Sequence, residues 1–275
     1  MTTIDTLAAF LEERAQEGLV SWEVQEDAAR TFNTTVRDVE GTALSMGLLP
    51  SRYARNRTTI GADQQKKLFQ STVAVVGCGG LGGYVIEELA RLGVGTLLAV
   101  DPDTFEDHNL NRQILCAFPS LGKTKVEAAE KRVAEINPAC TVVPLKVRLT
   151  AGNAPSLLDS AQVAVDCLDN IGARLELADA CAQLAIPLVH GAIGGWYGLV
   201  LTQGPSENRL RQLYGEGRDV KGIEETLGNL SFTAAVVAGM EAAETCKLLI
   251  GEGGTLKGRM LFIDLFDMSV ETFET

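Results

Sequence analysis

The stretch that decides the fold is TVAVVGCGGLGGYVIEELARLGVGTLLAVD, residues 72–101. It opens with an apolar run of strand length at 72–76, which leads directly into a glycine-rich turn. An amphipathic stretch at 81–92 has the length and spacing of a helix, and a second apolar run follows at 96–100. Strand, glycine turn, helix and strand in this order are typical of a nucleotide-binding βαβ unit.

The glycines of the turn have the spacing GxGxxG, at Gly77, Gly79 and Gly82. In such a loop they give a tight turn, close approach of the backbone to a phosphate, and close packing of helix on strand. The start of the helix presents free N–H groups to an anion. Asp101 closes the second strand, where a carboxylate can hydrogen-bond ribose hydroxyls. The unit predicts a bound nucleotide, the alternative being a glycine turn without a ligand, and it does not separate NAD from ATP.

The rest of the chain continues the alternation of short apolar runs and helix-length stretches. β-Branched runs without polar alternation predict strands that are buried on both faces. The expected elements are strands at 142–145, 163–166, 186–189, 199–202 and 259–265, and helices at 122–136, 172–184 and 230–250. This order predicts an α/β fold with a Rossmann-like, doubly wound and mostly parallel sheet, to which antiparallel strands can add near the C-terminus.

Residues 1–50 have a helical pattern and are expected to form an N-terminal extension to a domain at 51–275. The first helix is indicated by the helical spacing of Ile4, Leu7, Leu11 and Ala15 before Gly18. A second helix is expected from Trp22, with Val24, Ala28 and Phe32 facing inward. A third is expected to begin at a capping box formed by Thr35 and Asp38. Three short helices make a marginal core alone, so we expect them to pack on the main domain or on a partner.

Charged and amide side chains follow the predicted strands at their carboxyl ends. Asn109, Arg112 and Gln113 come after the second strand, Lys125 lies near the start of the next helix, and Asp169 follows the strand at 163–166. A triphosphate needs such cations, whereas a dehydrogenase does not, and a carboxylate beside phosphates is a natural Mg²⁺ ligand. Taken alone, each of these residues also has a purely structural explanation. These are an ion pair with a surface acid for Arg112, a solvated helix face for Lys125, and a helix cap for Asp169.

The composition limits the class of protein. With 275 residues, 46% of them hydrophobic, and no apolar run of about 20 residues, the chain is predicted to be globular and not membrane-spanning. The N-terminus lacks a secretory signal pattern, and we therefore expect a cytoplasmic protein. The net charge of −12 argues against nucleic-acid binding. Six cysteines without a CxxC pair and two histidines predict no zinc site.

Five motifs together carry a resemblance to a known family. They are GCGGLG at 77–82, DPD at 101–103, NLNRQ at 109–113, GKTK at 122–125 and DCLDN at 166–170. In order and spacing they resemble the HesA/MoeB/ThiF family, the bacterial relatives of ubiquitin-activating enzymes. RYARN at 52–56 is similar to the stretch that opens that fold, with Asn56 in place of its usual Gln. The resemblance covers roughly residues 51 to 270.

The resemblance implies an adenylyltransferase that uses ATP and Mg²⁺. Such an enzyme activates the C-terminal glycine carboxylate of a ubiquitin-like sulfur-carrier protein ending in Gly-Gly, of the molybdopterin or thiamine type, and releases pyrophosphate. By position, the resemblance implies that the loop residues contact the nucleotide, namely Gly77, Gly79, Gly80 and Gly82, and that Asp101 binds the ribose. It implies phosphate contacts for Asn109, Arg112, Gln113 and Lys125, and Mg²⁺ binding for Asp169. It also implies a homodimer in which Arg55 reaches into the partner's site.

The chain departs from the family in its cysteines. Many members hold zinc with two CxxC pairs and carry a reactive cysteine in the crossover loop, but residues 201–245 contain no cysteine. The sequence therefore favours adenylation over sulfur transfer. The alternatives are a dehydratase that acts on threonylcarbamoyl-tRNA, which the acidic charge disfavours, and a non-catalytic scaffold, which the retained Arg112, Lys125 and Asp169 disfavour. An NAD dehydrogenase is disfavoured by the cations beyond Asp101.

Overall fold

The computed structural model describes residues 6–215 and 224–274. In chain order the strands are β1 (Leu19–Val20), β2 (Leu49–Pro50), β3 (Thr72–Val76), β4 (Thr96–Val100), β5 (Thr141–Leu145), β6 (Val163–Asp166), β7 (Leu188–Gly194), β8 (Tyr197–Gln203), β9 (Arg259–Asp264) and β10 (Ser269–Glu274). The helices are α1 (Leu7–Arg14), α2 (Trp22–Thr31), α3 (Val36–Ser45), α4 (Ala62–Gln70), α5 (Gly80–Leu92), α6 (Lys125–Ile136), α7 (Ala154–Leu158), α8 (Ile171–Leu184), α9 (Arg209–Tyr214), α10 (Glu224–Leu227) and α11 (Ser231–Ile250).

An eight-stranded sheet with the order β10-β9-β8-β7-β6-β3-β4-β5 forms the centre of the molecule. The five strands from β7 to β5 in this order run parallel, and β8, β9 and β10 add to them antiparallel. The predicted Rossmann-like, mostly parallel sheet is therefore confirmed. Because parallel strands end on the same edge, the loops after β3, β4 and β6 meet at one crevice.

Both faces of the sheet are covered. In β3, Val73 and Val75 lie in one buried cluster with Ile86 of α5. Ala74 and Val76 lie in the opposite cluster, which includes residues of α8. Burial of each valine side chain contributes roughly 1.5–3 kcal/mol, which explains why the β-branched runs read as strands covered on both sides.

Several boundaries differ from those expected. Helix α6 begins at Lys125 and not at 122, because Gly122 has a φ of +77° and Thr124 caps the helix by accepting from Glu127 N at 3.3 Å. Strand β7 begins at Leu188 and runs to Gly194, beyond the expected end at 189. Strand β10 and the short helices α4, α7, α9 and α10 have no counterpart among the sequence predictions.

The N-terminal helices pack together and contact the sheet domain. The predicted capping box of Thr35 and Asp38 is present at the start of α3, whereas Ile4 lies outside the described residues. Arg37 donates hydrogen bonds to the carbonyls of Gly95 and Ala139. These contacts join α3 to the loops at the amino ends of β4 and β5. The division of the chain at residue 51 stays a prediction.

None of the helices in the described residues is long and apolar enough to cross a membrane.

Candidate functional site

A cleft opens at the carboxyl ends of the parallel strands. Ligands of doubly wound sheets bind in such a crevice. Of the residues predicted from the sequence, the cleft is lined by Gly77, Gly79, Gly80, Asp101, Arg112, Gln113, Lys125 and Asp169. Eight residues that are spread over about 90 positions of sequence thus meet at one place.

The glycine loop is tightly packed beneath this cleft. Gly77 has a φ of +92°, and a Cβ at this position would lie 2.5 Å from the carbonyl oxygen of Cys167. A Cβ on Gly82 would lie 1.8 Å from the carbonyl oxygen of Gly77. Helix α5 starts at Gly80 with no side-chain cap, so its first N–H groups are available to an anion in the cleft.

Asp101 fixes the two loops on either side of the cleft. Its Oδ2 accepts from the backbone N–H of Cys78 at 2.7 Å, and its Oδ1 accepts from that of Asp103 at 2.8 Å. Burial raises the pKa of this carboxyl, an effect opposed by the ammonium of Lys125 at 3.7 Å and by the two N–H groups. A carboxylate has about four acceptor sites, so room remains for a ribose hydroxyl.

Two of the cations predicted from the sequence belong to the cleft lining. Lys125 is 7% exposed and its Nζ lies 2.9 Å from Asp103 Oδ2, which excludes a solvated helix face for this side chain. Arg112 donates from Nη1 to Asn111 Oδ1 at 2.8 Å and to the His108 carbonyl at 3.2 Å. Partial burial lowers the pKa of Arg112, and the Asp169 carboxylate raises it. These two cations lie among the carboxylates of Asp101, Asp103 and Asp169 in the lining.

Gln113 supplies the clearest sign that a ligand completes the cleft. Its Oε1 is buried and has no hydrogen-bond partner among the described residues. Its Nε2 lies next to the glycine loop, 3.4 Å from the position that a Cβ on Gly79 would occupy. An unsatisfied buried oxygen costs roughly 1–3 kcal/mol. A nucleotide carries hydroxyl donors for the oxygen and phosphate acceptors for the nitrogen, so the residues present fit such a ligand.

Asp169 follows β6 and is exposed at the cleft. Asn170, and not Asp169, caps α8 by accepting from Ala173 N at 2.8 Å. The part of the chain that the structure describes holds no group of three or more His, Cys, Asp or Glu side chains that could bind a metal by itself. Mg²⁺ commonly takes one or two carboxylates together with phosphate oxygens and water, so Asp169 fits a metal that arrives with a nucleotide.

Three of the predicted residues lie outside the cleft lining. Gly82 packs under the loop, as its contact with Gly77 shows. Asn109 is 4% exposed, and its Oδ1 accepts from Glu106 N at 3.0 Å, closing the turn before Arg112. Arg55 is exposed and does not line the cleft of its own chain. Their roles toward a ligand stay predictions.

One wall of the cleft was not predicted from the sequence. Val147, Arg148 and Leu149 after β5, with Leu168 and Ala173, form a largely apolar surface that suits a purine ring. The apolar residues just beyond the strand predicted at 142–145 were the available signal. Arg174, which is 4% exposed and lines the cleft from α8, was not predicted either.

His190 lies near this edge but has a structural environment. It is fully buried, with Nδ1 2.8 Å from Asp166 Oδ2 and Nε2 3.0 Å from the Tyr214 hydroxyl. Both ring nitrogens of His190 therefore have partners. All six cysteines are buried and free.

Comparisons with known proteins point to one family. The model of the ThiF family matches residues 53–275. The SAMP-activating enzyme E1 of Haloferax volcanii is 38% identical over 225 residues, which is 80% of this chain and 83% of that protein. The sulfur carrier protein adenylyltransferase of Thermus thermophilus is 35% identical over 219 residues, covering 76% and 80% of the two chains. The crystal structure of E. coli MccB with ATP matches with a TM-score of 0.66 at 20% identity, covering 91% and 82%.

Proposed function

This chain belongs to the ThiF family, and we propose that it is an ATP- and Mg²⁺-dependent adenylyltransferase. Its substrate is the C-terminal glycine carboxylate of a ubiquitin-like sulfur-carrier protein, and pyrophosphate leaves. The observation that carries the proposal is the meeting of the glycine loop, Asp101, Arg112, Lys125 and Asp169 in one cleft. The unpaired Oε1 of Gln113 in the same cleft supports a ligand there.

The residues of the cleft suit attack by a carboxylate on a phosphate. This reaction needs positioning and neutralisation of charge, and a carboxylate that is already ionised needs no protein base. Lys125 and Arg112 supply positive charge, and the free N–H groups of α5 add hydrogen-bond donors. A Mg²⁺ ion bound by Asp169 would neutralise phosphate charge as a Lewis acid. The apolar wall at Val147 and Leu149 would hold the base of the nucleotide.

The carrier is proposed from the relatives and from the chain's own cysteines. Two relatives are named for SAMP and for a sulfur carrier protein. A molybdopterin or thiamine type of carrier is consistent with this. We place the enzyme in the cytoplasm as a homodimer in which Arg55 reaches the partner's cleft. With no CxxC pair in the sequence, adenylation is the step assigned to this chain.

Exchange of labelled pyrophosphate into ATP tests the proposal. The wild type should catalyse exchange only when a carrier with a Gly-Gly end is present. Arg112→Ala and Asp169→Ala should each lower the rate by about 10²–10³-fold, because each removes charge stabilisation at the phosphates. Arg132→Ala is the matched control, since Arg132 pairs with Glu87 outside the cleft and Arg91 still pairs with Glu87 when Arg132 is removed. Near-normal rates in both cleft variants, or stimulation by threonylcarbamoyl-tRNA alone, would contradict the proposal.

A further inference from the structure

Leu168, the residue before Asp169, has both of its backbone groups held by buried side chains. Its N–H donates to Asp166 Oδ1 at 3.0 Å. Its carbonyl oxygen accepts from Arg174 twice, from Nε at 3.1 Å and from Nη2 at 2.7 Å. Asp166 is fully buried and Arg174 is 4% exposed. Paired, charge-assisted donation from a planar guanidinium is strong and directional, so Arg174 fixes the orientation of the Leu168–Asp169 peptide, while Asp166 holds the Cys167–Leu168 peptide before it.

The same side chains form a closed ring of hydrogen bonds. Arg174 Nη1 donates to the Tyr214 hydroxyl at 3.3 Å, which lies 3.0 Å from His190 Nε2. His190 Nδ1 lies 2.8 Å from Asp166 Oδ2. Burial lowers the pKa of His190, and the neutral ring with its proton on Nδ1 satisfies every partner. Tyr214 then donates to His190, His190 donates to Asp166, and the ring closes through Leu168.

The ring lies directly behind the phosphate-binding loop. A Cβ on Gly77 would lie 2.5 Å from the Cys167 carbonyl oxygen and 3.2 Å from Leu168 N, so the Cys167–Leu168 peptide, whose N–H donates to Asp166, rests against Gly77. The Leu168–Asp169 peptide, whose carbonyl Arg174 holds, follows directly. Asp169 is the next residue and lines the cleft. The position of Asp169 relative to the glycine loop is therefore set by groups that belong to α8, α9, β6 and β7.

We propose that Arg174 is a positioning residue that, with Tyr214, places the Asp169 carboxylate for metal binding. The inference rests on the proposed function only in requiring that Asp169 binds the metal of a bound nucleotide. Arg174 acts through the Leu168 carbonyl, and Tyr214 at the end of α9 orients the guanidinium. Loss of such outer contacts commonly weakens metal binding by about 10–100-fold.

The test measures metal binding without turnover. Mn²⁺ replaces Mg²⁺ and is titrated into the full chain with a non-hydrolysable ATP analogue, with free Mn²⁺ read by electron paramagnetic resonance. Arg174→Lys keeps the charge but loses paired donation, and should weaken Mn²⁺ binding about 10-fold. Tyr214→Phe should weaken it about 3-fold, since Arg174 loses its contact with the hydroxyl but keeps its two donations to Leu168. Asp169→Asn provides the reference for loss of the ligand itself.

Arg132→Lys is the matched control, because Arg132 also makes a paired contact, with Glu87, but outside the cleft. It should bind Mn²⁺ as the wild type does. Wild-type Mn²⁺ affinity in both Arg174→Lys and Tyr214→Phe would overturn the proposal, as would a wild type that binds no Mn²⁺ with the analogue. If Arg174→Lys does not fold, Tyr214→Phe decides. Weakened Mn²⁺ binding in a protein that shows no pyrophosphate exchange would instead contradict the proposed function and leave the positioning role standing.

Discussion

The carboxyl of Glu241 in α11 has no hydrogen-bond partner on either oxygen within the described residues, although it is fully buried. It packs on β7, where a Cβ on Gly191 would lie 2.4 Å from its Cδ. Burial raises the pKa of Glu241 well above the ordinary value of 4.5, and Asp166 adds to this while Arg174 opposes it. The fold therefore favours the neutral, protonated form of Glu241.

Glu241→Gln should change the pH dependence of stability. In the wild type the unfolded chain releases the Glu241 proton above about pH 4.5, whereas the folded chain keeps it until the raised pKa is reached. Folding then binds a proton, so the free energy of unfolding falls as pH rises, by about 1.4 kcal/mol per pH unit in this window. The Gln variant lacks this slope. Urea unfolding of both proteins at pH 5, 6.5 and 8 measures the difference, and parallel profiles would contradict the assignment.

Single residues were predictable from sequence where they follow a strand. Asp101, Arg112, Lys125 and Asp169 were identified because parallel strands deliver their ends to one crevice. Arg174 and the unpaired oxygen of Gln113 could not be recognised in this way. Their environment depends on which helix turns toward the cleft and on which partners a side chain meets, and neither depends on local spacing.

At the scale of elements, the start of helix α5 carries a severe steric requirement. A Cβ on Gly82 would lie 1.8 Å from the backbone oxygen of Gly77, so the helix could not pack on the loop without displacing it. Gly239 in α11 is also helical, but a Cβ there would lie 3.6 Å from the nearest atom of Glu88. The two glycines thus form a matched pair.

Gly82→Ala should lower stability and abolish ATP binding, because the phosphate-binding loop must move. Gly239→Ala should leave ATP binding unchanged and raise the free energy of unfolding by up to about 1 kcal/mol, the usual gain from alanine in a helix. Calorimetric titration with ATP and thermal unfolding of both variants make the measurement. Normal ATP affinity in Gly82→Ala would show that the loop does not bind the phosphates.

Elements that bury apolar surface on both sides were predictable, and others were not. The runs that became β3, β4 and β6 lack polar alternation and therefore stand out. The sequence SVETFE of β10 is exposed at every residue and is defined by its antiparallel pairing with β9. The end of β7 was missed because its glycines resemble a loop, yet Gly191 is needed there to admit Glu241.

At the scale of the whole molecule, a buried polar network joins the N-terminal helices to the sheet domain. Glu40 of α3 is fully buried, forms an ion pair with Arg52, and accepts from the Tyr53 hydroxyl at 2.9 Å. Arg52 Nη1 also donates to Asn137 Oδ1 at 2.9 Å. Arg52 and Tyr53 belong to the RYARN motif, so this part of the motif has a structural role.

The two parts should therefore unfold together. The chain has two tryptophans, Trp22 in α2 and Trp196 between β7 and β8, so Trp22→Phe and Trp196→Phe each leave one fluorescent reporter. Their urea midpoints should coincide. Arg52→Ala should lower both by the same amount, at a cost of about 3–5 kcal/mol, because it leaves Glu40 buried and unpaired. A lower urea midpoint in Trp196→Phe, where Trp22 is the reporter, than in Trp22→Phe would show that the N-terminal helices are a separate unit.

Arg55 gives a test of the proposed dimer. Arg55→Ala and Asp169→Ala should each be inactive alone, because the first lacks the partner's cation and the second lacks the metal ligand. Once the subunits have exchanged, the mixture should recover about a quarter of the wild-type rate, since half of the dimers are mixed and each holds one intact site. Subunit exchange is verified by native mass spectrometry. A mixture that has exchanged but stays inactive would exclude action of Arg55 across the dimer.

The central claim is that the cleft activates a C-terminal carboxylate with ATP. Its most direct test is pyrophosphate exchange by the wild-type chain with two carriers that differ only in their C-terminal group. One carrier ends in a free Gly-Gly carboxylate and the other in a Gly-Gly amide. We predict exchange with the free acid and none with the amide, which cannot attack the α-phosphate. Equal exchange with both carriers, or none with the free acid in a protein that binds ATP, would contradict the account.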